Sequence, residues 1–200
     1  MRMLNKRITF FYLIIFCWIV PISLNLAQGN LLNKVIEKFN SEKSFSVEVT
    51  QIASQTKAQI FFEFPDKEKI VLDKSVIVVV ADTVWNYNSK LNRLVIQERT
   101  EEFSPFSLLD IFYKLPSECT YLENSSGDEF SLKPRDEQEL NFKFVSVVVD
   151  KNNLPSKISL VDINGNKFLF VLDNYILGKK YGDGFFTVKL KKGTKIVELR

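Results

Sequence analysis

Residues 30–51 read Asn30-Leu-Leu-Asn-Lys-Val-Ile-Glu-Lys-Phe-Asn-Ser-Glu-Lys-Ser-Phe-Ser-Val-Glu-Val-Thr-Gln51, and their periodicity changes part-way along. Leu31, Val35 and Phe39 lie four apart, as do Leu32 and Ile36. One apolar stripe at that spacing predicts an amphipathic helix over 30–39. From Phe45 to Gln51 apolar and polar residues alternate, the period of a strand with one buried face. A helix feeding directly into strands sets the expectation for the rest of the chain.

Strand-like runs continue. Ile60, Phe62 and Phe64 share a parity before Pro65. Further runs cover 70–73, 76–80, 83–88 and 93–97. The pattern then breaks at Ser104-Pro-Phe-Ser-Leu-Leu-Asp-Ile-Phe-Tyr-Lys-Leu115, a second helix with Ser104 as N-cap, Pro105 at the first position and Pro116 just past the end. Strands resume near 119–123, 128–133, 139–149, 156–162, 167–173 and 185–190, with Ser125-Ser-Gly127 and Asn164-Gly165 as turns between alternating runs. The expectation is a mainly β (α+β) fold. A strongly curved, unclosed antiparallel β-barrel of about 10–11 strands would carry two or three helices over its concave side. No linker or repeat divides residues 30–200, which read as a single domain.

Some strands are apolar on both faces, notably Val76–Val80 and Phe168–Leu172, and Phe61 points away from Ile60 and Phe62. Either helices cover the second face, or the sheet encloses an apolar cavity.

The charge is unevenly placed. The chain has 27 Lys+Arg against 24 Asp+Glu and a formal charge of +3. Arg2, Lys6 and Arg7 supply the whole excess, and residues 1–27 contain no acidic group. Residues 1–29 have a basic start, an apolar core from Ile8 to Val20, and small residues at the end. This is the layout of a secretory signal peptide, with cleavage after Ala27 or after Gly29. An uncleaved anchor is the rival reading, opposed by Pro21, Ser23 and Asn25.

Composition removes several chemistries. The chain has no histidine, so no Ser-His-Asp triad, Cys-His pair or histidine-bound zinc can form. Cys119 is the one thiol left after residue 29, and reads as a small buried apolar residue. A neutral mature chain lacks the overall basic field of a nucleic-acid binder. The carboxylates at Glu101-Glu102, at Asp136-Glu137 with Glu139, and in Pro65-Asp-Lys-Glu-Lys69 read as solvated loops and turns. The glycines at 178, 182 and 184 have no phosphate-loop spacing. No catalytic residue, metal site or cofactor is expected, and 15 of the 18 phenylalanines remain in the mature part.

Taken in order, these fragments resemble the LolA family, periplasmic carriers of outer-membrane lipoproteins. Phe45-x-Val-x-Val-Thr-Gln51 is similar to the family's first strand. Ile60-Phe-Phe-Glu-Phe-Pro65 is similar to its strand leading into a proline, and Val78-Val-Val-Ala-Asp-Thr-Val-Trp-Asn-Tyr-Asn88 to its hairpin ending in aromatic-x-Tyr. Ser104-Pro-Phe-Ser-Leu-Leu109 resembles the opening of its lid helix. Asp162-Ile-Asn-Gly-Asn166 and Phe186-Thr-Val-Lys-Leu-Lys-Lys-Gly193 resemble its late hairpin and last strand. Three positions depart. The family's lid-latching arginine before the proline is Phe64 here, its hairpin Asp-Gly is Val80-Ala81, and its late prolines are replaced by Leu190-Lys-Lys192.

The resemblance implies a barrel that surrounds acyl chains with non-directional apolar walls, loaded from an inner-membrane ABC transporter and unloaded to an outer-membrane acceptor. Localisation would be the periplasm of a Gram-negative bacterium, and the carrier a monomer. Strand parity nominates Phe45, Val47, Val49, Ile60, Phe62, Phe64, Trp85 and Tyr87 as cavity walls, with Phe106, Leu109 and Phe112 as the lid face. Closure through Phe64 against Phe106 or Phe112 is the expected substitute for the missing arginine. The alternative function is a sensor or interaction module that binds lipoproteins on the same scaffold.

Overall fold

The computed structural model describes residues 30–99, 107–108, 110–136 and 140–199. Helix α1 (Leu31–Glu42) starts where Asn30 Oδ1 accepts the Asn33 N–H at 2.9 Å, an N-cap that satisfies one of the free first-turn donors. The Leu31 N–H is held by the Tyr121 hydroxyl and Glu123, tying the helix start to a distant strand. Lys43, in the left-handed region at φ 60°, closes the other end by donating to the Phe39 carbonyl. The next residue begins β1 (Ser44–Gln51).

Five strands follow by short turns: β2 (Thr56–Glu63), β3 (Lys67–Leu72), β4 (Ser75–Val80), β5 (Thr83–Asn88) and β6 (Arg93–Glu98). A π-helical turn (Asp110–Lys114) and a short helix α2 (Leu115–Glu118) interrupt the sheet. Then come β7 (Cys119–Glu123), β8 (Glu129–Pro134), β9 (Phe142–Val149), β10 (Pro155–Asp162), β11 (Lys167–Leu177) and β12 (Lys195–Leu199). Gly165, at φ 85°, supplies the left-handed turn residue between β10 and β11 that the Asn164-Gly165 pair foretold.

All twelve strands form one sheet in the order β12-β6-β5-β4-β3-β2-β1-β11-β10-β9-β8-β7. It is unclosed, with β12 and β7 as its edges. Expectation and structure agree on class and architecture and differ in four details. The strand count is twelve rather than ten or eleven. The β12–β6 pair is parallel, whereas every other pair is antiparallel. Residues 185–190 are not a strand, and the last strand lies at Lys195–Leu199 instead. Pro116 sits inside the first turn of α2, where its missing N–H is harmless, rather than beyond the helix.

The irregular segment 178–194 explains the doubly apolar run Val76–Val80, whereas Leu169 on the outer face of Phe168–Leu172 is exposed. It crosses the outer face of β1–β4, where the Tyr181 hydroxyl donates to the Phe45 carbonyl and the Lys69 ammonium donates to the carbonyls of Phe185 and Thr187. Phe61 meets the ring of Phe185 edge-on at 5.0 Å, and Val78 on the same face is fully buried. A strap, in addition to helices, covers the second face of Val76–Val80.

Candidate functional site

Cross-strand partners share a face of the sheet, so the register sorts the nominated residues. Phe45, Val47 and Val49 on β1 pair with Phe62, Ile60 and Ala58 on β2, and all face inward. The inner face continues through Phe62–Glu68, Glu68–Val79, Val79–Val84 and Val84–Gln97. The outer face runs through Phe61–Lys69, Lys69–Val78 and Val78–Trp85. Trp85 and Tyr87 therefore lie on the side opposite the other nominees, and Val84 and Asn86 are the inward residues of β5. The Tyr87 hydroxyl bonds to Asn92, which also donates to the Lys192 carbonyl of the strap.

The five inward residues of β1 and β2 are brought together and buried under the helices. Phe39 of α1 stacks on Phe45 at 4.4 Å, and Phe45 lies 5.1 Å from Phe62. Phe112, nominated for the lid face, is fully buried and meets Phe39 of α1 edge-on at 5.4 Å. Phe106 and Leu109 lie outside the described residues, as do Ser104, Pro105, Glu101, Glu102, Glu137 and Glu139. Phe64 is 43% exposed past the end of β2, and its ring is 6.3 Å from Tyr113 rather than on Phe112. A closure of Phe64 against Phe112 is not what the structure has.

Polar groups hold the described helical turn against the sheet. Glu68 on β3 is fully buried, with its carboxylate pointing inward. It accepts the Ser107 hydroxyl at 2.9 Å and the Leu108 N–H at 3.1 Å. The Ser107 oxygen in turn accepts the Asp110 N–H at 3.2 Å, so Ser107 caps the described helical turn. Arg99, just beyond β6, forms an ion pair with the buried Asp110 at 2.5 Å. The Tyr113 hydroxyl donates to Asn40 of α1. Burial pushes the Glu68 carboxyl up to about 7, and nearby Asp110 adds to this, while the bonds from Ser107 and Leu108 and the Arg99 charge oppose it.

Beneath this latch is a half-enclosed cavity of about 180 Å³, walled by aliphatic Ile70, Ile77, Val79 and Val84 with polar Asn86 and Gln97, and capped by Glu68, Arg99, Ser107 and Asp110. The ligand sites of proteins run to roughly 300–1,000 Å³, so this hollow as it stands is too small for an acyl chain. The larger hollows, up to about 430 Å³, are open depressions such as that flanked by Glu42, Lys43, Glu63, Lys179 and Lys180. The inner face thus has two halves. One is filled by helix side chains, and the other keeps a small apolar space under a hydrogen-bonded cover.

This arrangement carries little reactive chemistry. Cys119 is buried, and desolvation with nearby Glu118 pushes its thiol up to about 11. Among the described residues no three His, Cys, Asp or Glu side chains gather to hold a metal ion.

Residues 56–189 match the family of the outer membrane lipoprotein carrier protein LolA. The chain belongs to the LolA family. Two curated relatives named outer-membrane lipoprotein carrier protein are each 27% identical. The one from Vibrio campbellii matches over 64% of this chain and 61% of its own length, the one from Vibrio parahaemolyticus over 68% and 62%. The chain spans about three fifths of the length of these relatives. A crystal structure of an uncharacterised conserved protein from Thermus thermophilus shares the fold at a TM-score of 0.57 and 13% identity, covering 84% of this chain and 97% of that one.

Within this LolA-family chain, sequence reading missed Glu68, Arg99, Ser107 and Asp110. It took Pro65–Lys69 for a solvated turn, yet only Pro65 and Asp66 belong to the turn and β3 begins at Lys67. The available signal was parity: Glu68, Ile70 and Leu72 alternate with Lys67 and Lys69, which places a carboxylate in phase with an apolar face.

Proposed function

We propose that this protein carries lipoproteins across the periplasm, enclosing their acyl chains between the inner face of the sheet and the helices that cover it. The observation behind this reading is the latched apolar inner face. The lid is held by hydrogen bonds and an ion pair over aliphatic residues, above a cavity that must enlarge to take a chain. Each buried CH₂ is worth about 0.8 kcal/mol, so a lipoprotein leaves a membrane only if a carrier replaces most of that burial. Phe45, Val47, Val49, Ile60 and Phe62 form the floor that the lid's Phe112 now covers. Ile70, Ile77, Val79 and Val84 form the wall at which a chain first enters. Lid opening exchanges protein–protein contacts for protein–acyl contacts of the same non-directional kind, which allows release as well as capture.

In this reading residues 1–29 direct export and are removed, after Ala27 or Gly29, and residues 30–200 act as one monomeric carrier domain. An inner-membrane lipoprotein-releasing ABC transporter loads it and an outer-membrane acceptor unloads it. It performs no covalent chemistry. The test is a release assay in which purified protein is added to spheroplasts of a Gram-negative bacterium. Soluble complexes of carrier and acylated lipoprotein are expected, and their absence with folded protein overturns the reading.

A further inference from the structure

The mature chain is neutral as a whole, and its charge is divided. Residues 178–200 carry seven basic and two acidic side chains, whereas residues 30–177 carry 17 basic and 22 acidic. The fold gathers part of this excess at one corner of the sheet. Three turns meet there: Asp73-Lys74 between β3 and β4, Ser89–Asn92 between β5 and β6, and Lys191–Gly193 before β12. Backbone and side-chain bonds fix them together. The Ser89 N–H donates to the Lys74 carbonyl at 2.8 Å, and the Lys195 N–H donates to the Asn92 carbonyl at 2.9 Å. The Thr194 hydroxyl donates to Asn92 Oδ1 at 2.7 Å.

The cluster presents Lys74, Lys90, Arg93, Lys191, Lys192 and Lys195, all exposed. Asp73, the acidic residue in these turns, pairs with Lys74. Among the lysines stands Leu91, 61% exposed in its turn, with Ile196 54% exposed on the adjoining edge strand. A rigid basic rim around protruding aliphatic side chains has the chemistry of a surface that rests on anionic lipid. Cations meet the headgroups and the apolar tips enter the headgroup–acyl boundary. An acidic protein surface would satisfy the lysines but would leave the exposed Leu91 without an apolar counterpart.

We infer that this corner is a docking surface for an anionic phospholipid membrane. It lies at the turn end of β3–β6 and shares no residue with the lining of the latched cavity on their inner face. Its occupancy does not depend on whether that face carries lipoproteins.

The test is sedimentation of purified protein, lacking residues 1–29 so that every described residue is retained, with two kinds of vesicle. One is phosphatidylcholine alone and the other is phosphatidylcholine mixed with phosphatidylglycerol. Binding is expected to the anionic vesicles, at least about tenfold tighter than to the neutral ones, and to fall steeply with added salt. Lys90→Glu/Lys191→Glu/Lys192→Glu is expected to lose about tenfold or more, and Leu91→Asp to weaken binding while the unfolding midpoint stays unchanged. Equal binding to both vesicles, or full binding by the charge-reversed protein, overturns the inference. No binding to either vesicle at low salt also overturns it and gives the corner to an acidic protein instead. None of these results bears on spheroplast release, so failure here and failure of the carrier reading are told apart.

Discussion

Glu68 and Ser107 are joined by a buried hydrogen bond of 2.9 Å between a strand of the sheet and the cap of the helical turn that covers its inner face. The bond ties two segments 39 residues apart at the point where the helical cover meets the apolar wall. Ser107 has two partners, since its O–H donates to Glu68 while its oxygen accepts the Asp110 N–H. Moving the lid therefore breaks a helix cap and an inter-element bond together.

The first consequence is pH dependence. Glu68 has its carboxyl raised from an ordinary 4.5 to about 7 in the closed form. A raised carboxyl means the closed form binds the proton more tightly than an open form in which Glu68 is hydrated. Closure is then strongest below about 4.5 and is weakened as the pH rises through about 7, by about 3 kcal/mol across the interval at about 1.4 kcal/mol per pH unit. Uptake of a fluorescent fatty-acid probe is expected to increase between pH 5 and pH 8. Glu68→Gln, neutral throughout, is expected to lose that dependence and to behave at pH 8 as the parent does at pH 5.

The cavity wall gives a second test. Val84 faces inward, is half-buried, and lines the 180 Å³ space. A carboxylate there stays hydrated in the empty protein but must be desolvated or neutralised when an acyl chain arrives, a cost of several kcal/mol. Since about 1.4 kcal/mol is a factor of ten, Val84→Asp is expected to reduce lipoprotein release at least about tenfold. Ile77→Asp is expected to do the same. Unfolding curves are expected to show both variants folded, and normal release by either would remove this wall from the site.

The core under the lid gives a third. Phe112 is fully buried and packs edge-on against Phe39, which stacks on Phe45. Truncating such a ring removes about 3–5 kcal/mol. Phe112→Ala is expected to lower the urea midpoint accordingly and to increase probe uptake, because the lost contacts belong to the closed lid. A stability loss without increased uptake would place Phe112 in the permanent core.

Local patterns made much of the fold legible. The change of period at residue 45 and the Asn-Gly turn at 164–165 announced a helix followed by a curved meander, because each depends on neighbours within a few residues. Relations set by long-range register were not legible. Trp85 and Phe62 both sit on alternating strands, but which parity of one matches which parity of the other depends on three intervening turns, and a one-residue difference exchanges the faces. The strap over residues 61, 69 and 78 was equally hidden, since Phe186–Leu190 alternates like a strand and only its contacts with Lys69 and Phe61 reveal a crossing segment. Glu68 was visible as a letter in a charged run, but its role depends on a helix cap 39 residues away.

The face assignment on β5 can be measured directly. The chain has two tryptophans, Trp18 and Trp85, and removal of residues 1–29 leaves Trp85 alone. Its emission therefore reports one position, on the outer face beside Val78. Brominated acyl chains quench indole only in contact, so a chain held against the inner face is expected to leave Trp85 emission unchanged. Moving the indole by one residue reverses its direction, because successive strand side chains point to opposite sides. In a Trp85→Phe background, Val84→Trp is expected to be strongly quenched by the same lipid. Quenching of Trp85 but not of the residue-84 probe would put the acyl chain on the outer face, beneath the strap, and would reverse the assignment of the two sides of the sheet.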